Sequence, residues 1–337
     1  MKYFIEIGTS NKAKADIDDI CRREGFVNLT KCNLGTGAVG RFFTKIVSIF
    51  NILFYMGKGD ILLLQYPVKK FYGMACRFAH IKGAKVITII HDLGAFRRKK
   101  LTPEKENKLL NLSDFLIVHN DTMLKYVVEK GYKGGTHSLQ IFDYLSEKAP
   151  ADNTPHTPWR VVYAGNLARR KNEFLYNLAT CMSKWEMDLY GGGFDEKDNS
   201  CKGLRYHGFI KSDDFISTVD GDFGLVWDGD SVNECTGPWG EYLRINNPHK
   251  TSFYLRAGLP VIVWSSAAMA GFVKEKNIGI IVDSIAQIDE HLSNISAEEY
   301  MNMKNAAIEM SKKLSDGYYF KKGIKAGENY LTGAVDK

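Results

Sequence analysis

The feature that most constrains this chain is an alternation, made twice over, between short apolar runs and longer amphipathic stretches. Runs such as ILLLQ, VITII and FLIV contain almost no polar residue. Continuous apolar strands of this kind belong in parallel sheets covered on both faces, and parallel pairing needs a crossover between successive strands. In the first half the pattern places strands at Tyr3–Ile7, Val27–Lys31, Ile61–Gln65, Lys85–Ile90 and Phe115–Val118. A break follows at EKAPADNTPHTPWR, which holds three of the eight prolines and reads as a linker. The pattern then restarts, with strands at Arg160–Tyr163, Met187–Tyr190, Leu204–His207, Phe223–Trp227, Pro260–Val263 and Gly279–Val282. Helices fit Ala297–Leu314 and Tyr318–Leu331.

A chain of 337 residues has room for two domains, each with its own core. The expected fold class is α/β, with two Rossmann-like domains, 1–150 and 159–317, facing a central cleft. The helix at 318–331 would cross back to the first domain. In such folds the ligand lies outside the carboxyl ends of the strands.

Charge divides unevenly along the chain. Residues 1–150 carry 24 Lys+Arg against 14 Asp+Glu, a balance of +10; residues 151–337 carry 21 against 25, a balance of −4. A basic first half suits an anionic partner, either a membrane surface or a pyrophosphate-linked acceptor, or else it is a solvated basic face. The cluster Arg97-Arg98-Lys99-Lys100 and the apolar stretch Ile46–Met56 fit peripheral contact with a membrane. No run reaches the roughly 18 apolar residues of a bilayer span. The start MKYFIEIGTS leads straight into a strand without the pattern of a signal peptide. The six cysteines are scattered and read as reduced thiols, so neither a disulfide framework nor a zinc site is expected. A cytoplasmic protein, at most peripheral on the inner face of the membrane, is the expectation. Nothing calls for a nucleic acid, and self-association is left open.

Gly35-Thr-Gly37-Ala-Val-Gly40 matches the GxGxxG fingerprint, with Asp60 twenty residues beyond Gly40. Taken alone it gives the alternative reading, a nicotinamide-dependent oxidoreductase. The glycines, however, follow the second strand rather than the first, and Asp60 precedes its strand instead of ending it. The triplets Asp220-Gly-Asp222 and Asp228-Gly-Asp230 resemble a metal-binding DxD, but short acidic triplets also suit turns, and no metal is expected. A non-catalytic solute-binding module would share the architecture, but such a module would be expected to carry a signal peptide.

Two places in the second half suit a bound phosphate. Gly165-Asn166-Leu-Ala-Arg169-Arg170-Lys171 follows the strand VVYA and leads into an expected helix from Asn172. A strand-end glycine and adjacent cations at a helix start form a phosphate-ready turn. The second is Asn246-Asn247-Pro248-His249-Lys250-Thr251-Ser252, where Lys250 stands in the first turn of a helix. A cation there opposes the helix dipole unless an anion shares the site. Tyr190-Gly191-Gly192-Gly193 ends a strand where a ligand can approach the backbone.

YAGN, DFGLVW and KTSFYLRAGLPVIV, in this order, with ILLLQYP and VITIIHDL in the first half, resemble the glucosyltransferase 3-like enzymes that glucosylate bacterial adhesins. They also resemble the related bacterial β-1,6-galactofuranosyltransferases, all of the GT-B fold. The resemblance implies transfer of galactofuranose or glucose from a UDP-sugar to a glycan, lipid-linked or glycoprotein acceptor. It implies that Arg169 and Lys250 contact the donor diphosphate. Phe209 falls where the family has a tyrosine near the nucleotide. The acid of retaining GT-B enzymes is absent from NNPHKTSFYLRAG, which favours an inverting enzyme. Inversion needs a base on the acceptor side, and His91-Asp92 ends the strand Val86–Ile90 at the cleft edge. Asp92 or His91 is the candidate base, with the alternative that Asp92 merely caps a turn; His119 is a lesser candidate. Thr9 and Ser10, after the first strand, would line the cleft near the sugar.

Overall fold

The computed structural model describes residues 1–6, 11–35, 37–67, 71–97 and 101–333, which form two compact units. Unit 1 comprises Met1–Leu139 and Gly317–Lys337, and unit 2 comprises Gln140–Asp316. The segment read as a linker falls within unit 2.

Unit 1 contains strands β1 (Lys2–Phe4), β2 (Val27–Asn28), β3 (Ile61–Tyr66), β4 (Lys85–Ile90), β5 (Phe115–Val118) and β6 (Gly135–Ser138). They form one sheet in the order β2-β1-β3-β4-β5-β6, with every pairing parallel. Its helices are α1 (Lys12–Arg23), α2 (Ala38–Tyr55), α3 (Tyr72–Ile81), α4 (Gly94–Arg97), α5 (Pro103–Leu110) and α6 (Asp121–Glu129). The apolar runs are strands because both faces are covered: all six residues of β3 and all four of β5 are buried. β6, with the sequence GTHS, was not foreseen; it is half-buried at the sheet edge and has no apolar run to announce it.

Unit 2 repeats the plan with β7 (Trp159–Asn166), β8 (Trp185–Gly192), β9 (Leu204–Tyr206), β10 (Phe223–Val226), β11 (Val261–Trp264) and β12 (Gly279–Val282). The order is β12-β11-β10-β7-β8-β9, again parallel throughout. Helices α7 (Ser212–Thr218), α8 (Gly237–Gly240), α9 (His249–Arg256), α10 (Ala270–Lys276), α11 (Ile288–Asn294) and α12 (Ala297–Asp316) complete it. Between β7 and β8 the expected helix from Asn172 is replaced by two 3-10 turns, Glu173–Tyr176 and Leu178–Thr180. The reason is local: the Asn172 amide donates back to the Asn166 carbonyl, and the Thr180 hydroxyl to the Asn177 carbonyl.

The last helix, α13 (Tyr318–Thr332), lies on the sheet of unit 1. Gly323 and Gly327 allow this approach, since a Cβ on them would come within 3.0 Å of Ile117 and 2.6 Å of Ile87. Lys2 pairs with Glu328 across the same contact at 2.9 Å. α2 is longer than the apolar stretch read from the sequence. Its eighteen residues are long and apolar enough, by length and composition, to cross a bilayer. Here it is held on unit 1 by buried Ser48, Ile49 and Ile52, with Asn51 donating to the Leu29 carbonyl at 2.8 Å.

Candidate functional site

In unit 2 the strand order reverses between β10 and β7, so the crevice of a doubly wound sheet opens at their carboxyl ends. β7 ends in Gly165 and Asn166, both exposed, beside Gly191 and Gly192 of β8. Gly165 and Gly191 have φ of 129° and 138°, a region that favours glycine. A Cβ on Gly191 would lie 1.8 Å from the Gly165 carbonyl oxygen, so the pairing of these strand ends requires it.

α9 is fixed against this edge. Tyr254 lies on Gly224 of β10, where a Cβ would come within 2.2 Å of its ring, and its hydroxyl accepts the Ala164 N–H at 2.7 Å. This docking brings Lys250, in the first turn of α9, to the switch point. Its ammonium donates to the Tyr163 hydroxyl and, at 2.9 Å, to Asp228 Oδ1. Lys171 reaches the same carboxylate oxygen at 3.2 Å. Burial lowers the Lys250 ammonium to about 8 against the pull of Asp228. For Asp228 burial acts to raise the carboxyl, but Lys250 and then Lys171 hold it below its usual value.

Two ammonium groups therefore share one carboxylate, which leaves one net positive charge in a poorly solvated place. Such a charge is costly unless an anion joins it. The N-terminus of α9 adds to the demand: Pro248 provides no side-chain cap, and the first turn holds no acid. The Thr251 hydroxyl oxygen, fully buried, has no hydrogen-bond partner among the described residues. The arrangement can hold a phosphate or diphosphate and stabilise charge that grows on it. Among the described residues no group of three or more His, Cys, Asp or Glu side chains is placed to hold a metal.

The other sequence candidates of unit 2 lie at varied distances from this point. A Cβ on Gly165 would touch Lys250 Cε at 3.7 Å, so the strand end and Lys250 are neighbours. Arg169 is tied to Glu173 at 2.9 Å and to Asp198 at 2.5 Å, and stacks on Tyr176, with Arg170 exposed beside it. Phe209 follows the edge strand β9 and is 80% exposed. Lys171 belongs to the turn singled out from the sequence; Asp228, which joins it to Lys250, is the partner that sequence reasoning missed. Asp228 was set aside as part of a turn triplet, although its place directly after the DFGLVW strand was a usable signal.

In unit 1 the switch point lies at β1, with β2 on one side and β3 on the other. Thr9 and Ser10, which follow β1, lie outside the described residues, as do Arg98, Lys99 and Lys100. His91 directly follows β4, its main chain donating to the Tyr66 carbonyl at 2.9 Å. Its Nε2 lies 2.7 Å from Gln65 Oε1, while Gln65 Nε2 donates to Asp18 Oδ1 at 2.6 Å and to the Lys14 carbonyl at 3.2 Å. Because the amide nitrogen serves two acceptors, Oε1 must accept, and His91 Nε2 carries the proton. Asp18 is buried, and burial, followed by the neighbouring Glu6, raises its carboxyl to about 7. Asp92 is half-buried next to His91. His119 is a core residue: burial lowers it to about 4 despite hydrogen bonds to the main chain at Ile90 and His91. Gln65 and Asp18 had been missed, though a lone Gln in ILLLQ and an Asp among the apolar positions of α1 are visible departures from pattern. Asp60, proposed partner of the GxGxxG glycines, instead accepts the Gly57 N–H at 2.7 Å before β3 begins.

Comparison with known proteins gives the family and the fold. Models of the glucosyltransferase 3-like N-terminal and C-terminal domains match residues 6–141 and 161–326. The β-1,6-galactofuranosyltransferase WbbI of Escherichia coli (strain K12) is 31% identical over 314 residues, 92% of this chain and 91% of that protein. Glucosyltransferase 3 of Streptococcus gordonii is 28% identical over 282 residues, 80% of each chain. Among solved structures, sucrose-phosphate synthase from Thermosynechococcus elongatus superposes with a TM-score of 0.61 at 12% identity, over 99% of both chains. Anabaena HepE, solved in complex with UDP and glucose, gives 0.58 at 10% identity, over 98% of this chain and 99% of that one. At these identities the two structures share the fold, which is GT-B.

Proposed function

The chain belongs to the glucosyltransferase 3-like family of GT-B glycosyltransferases, and we propose that it transfers galactofuranose or glucose from a UDP-sugar, with inversion and without a metal. The observation that carries this reading is the pair of ammonium groups, Lys250 and Lys171, on the single carboxylate of Asp228 at the switch point. The donor diphosphate sits on these cations and on the N–H groups that open α9, with the Thr251 hydroxyl and the Gly165–Asn166 main chain beside it. As the bond from the anomeric carbon to the diphosphate oxygen breaks, negative charge grows on the leaving group, and the ammonium groups are already in place to stabilise it. Arg169 joins the diphosphate by exchanging its surface carboxylates for it, and Phe209 and Gly191 line the nucleotide side.

His91 takes the proton of the acceptor hydroxyl as its oxygen attacks the anomeric carbon, with Asp92 as the neighbouring alternative. Gln65, itself held by Asp18, orients the imidazole ring for this role. Thr9 and Ser10 contact the transferred sugar. The acceptor is a glycan, lipid-linked or carried by a protein, and the enzyme works in the cytoplasm, peripheral to the membrane. The sugars named follow the two relatives, one a galactofuranosyltransferase and the other a glucosyltransferase.

A thermal-shift series with UDP, GDP, dTDP, NAD and NADP tests the donor class. Saturation at a hundred times the dissociation constant is worth about 2.7 kcal/mol of stability. The expected result is stabilisation by UDP; a shift with NAD and none with any nucleoside diphosphate would overturn the reading. With a competent acceptor, turnover that persists in EDTA and a product of inverted anomeric configuration complete the test.

A further inference from the structure

α2 has two apolar faces, and only one of them is used by the fold. Ser48, Ile49 and Ile52 are buried against unit 1. On the other side Val39, Phe43, Phe50 and Phe54 are 70%, 50%, 43% and 79% exposed. Their spacing, i, i+4, i+11 and i+15, puts them in one stripe along the helix. Ile81, at the end of the neighbouring α3, is also 72% exposed. A cluster of large exposed apolar side chains on this scale marks an interaction surface rather than ordinary solvent-facing residues.

Charge identifies the kind of partner. From Lys31 to His91 the sequence holds nine lysines and arginines and a single acid, Asp60. That acid is matched by the N-terminal ammonium at 2.5 Å. Arg77, one turn before Ile81 on α3, is exposed, and Lys82 follows Ile81 directly. A second copy of this face would bring like charges together, which disfavours self-pairing. An anionic lipid surface satisfies both features at once, because aromatic and aliphatic side chains enter the boundary layer and the cations meet headgroups. The polar anchors of Ser48 and Asn51 on unit 1 keep the helix on the protein, so it lies on a bilayer instead of crossing it.

We propose that the outward face of α2, with the end of α3, docks this enzyme on an anionic lipid bilayer. The proposal extends the reading of a peripheral enzyme with a glycan acceptor. Its test uses neither donor nor acceptor, so its failure would leave the donor assignment standing. The full chain is sedimented with vesicles of phosphatidylcholine alone and of phosphatidylcholine mixed with phosphatidylglycerol, at low and high salt. Binding is expected to the mixed vesicles, weakened by salt. Phe43→Ser with Phe54→Ser, and separately Arg77→Glu with Lys82→Glu, should each lower vesicle affinity about tenfold or more. Stabilisation by UDP should be unchanged in both variants. If the aromatic pair impairs folding, the charge-reversal pair carries the test alone. Variants that bind like the wild type, or equal binding to both vesicle types, would overturn the proposal. So would absence of vesicle binding together with self-association that the Phe substitutions abolish, a result that would assign the face to a second copy.

Discussion

At the carboxyl edge of the unit 2 sheet, Lys250 and Lys171 converge on Asp228 and leave a net positive charge in a buried place. At the corresponding edge of unit 1, Asp18, beside Glu6 and bridged by Gln65 to His91, makes a site that is neutral or acidic. The halves to which these sites belong carry the opposite balance, +10 for residues 1–150 and −4 for residues 151–337. Net charge therefore describes what surrounds each unit, while the chemistry at each strand edge is set by a few desolvated groups in contact. One sheet plan, used twice, presents two cations on one carboxylate in one unit and a carboxyl–amide–imidazole chain in the other.

The comparison predicts that substitutions at the two edges fail in different ways. Lys250→Met should cost about 10² to 10³ in kcat, as for loss of one preorganised charge-stabilising donor, and should also weaken UDP binding. Steady-state kinetics with UDP titration measures both; near-wild-type turnover would remove Lys250 from the site. In unit 1, Gln65→Leu breaks the bridge that orients His91. It should lower kcat roughly 10- to 100-fold, as loss of an orienting hydrogen bond does at comparable sites, and displace the pH–rate profile. UDP affinity should be unchanged, and a variant that lost UDP binding instead would erase the division of labour. The smallest effect is expected at Arg169, whose partners Glu173 and Asp198 are at the surface. Arg169→Ala should leave Tm close to that of the wild type, because exposed ion pairs add little. A fall in UDP affinity in that variant would show that Arg169 leaves its carboxylates for the donor.

Strand positions were legible wherever a run was continuously apolar: β4, β5 and β12 fall at Lys85–Ile90, Phe115–Val118 and Gly279–Val282, as the pattern predicts. The misses share a cause, which is contact that no hydrophobic pattern announces. β6 is held by pairing with β5, with no help from its own polar residues. The expected helix after β7 gave way to side-chain bonds from Asn172 and Thr180 back to the backbone. At the sites, a cation in the first turn of a helix singled out Lys250, and position after a strand singled out His91. Neither signal could pair Lys250 with Tyr163, 87 residues away, or Gln65 with Asp18, 47 residues away. Those partners fix what each residue does, and they become visible only when the sheets bring them together.

The central claim, that a diphosphate is held by the charged form of Lys250, is tested most directly by UDP affinity as a function of pH. Burial brings the Lys250 ammonium down to about 8, so the charge is present below that pH and lost above it. Isothermal titration of the wild type from neutral pH upward should show affinity falling as pH rises through 8, approaching about tenfold per pH unit beyond it. Lys250→Met should bind weakly and without that step. A wild-type profile flat through this range, or a step that survives in Lys250→Met, would contradict the account.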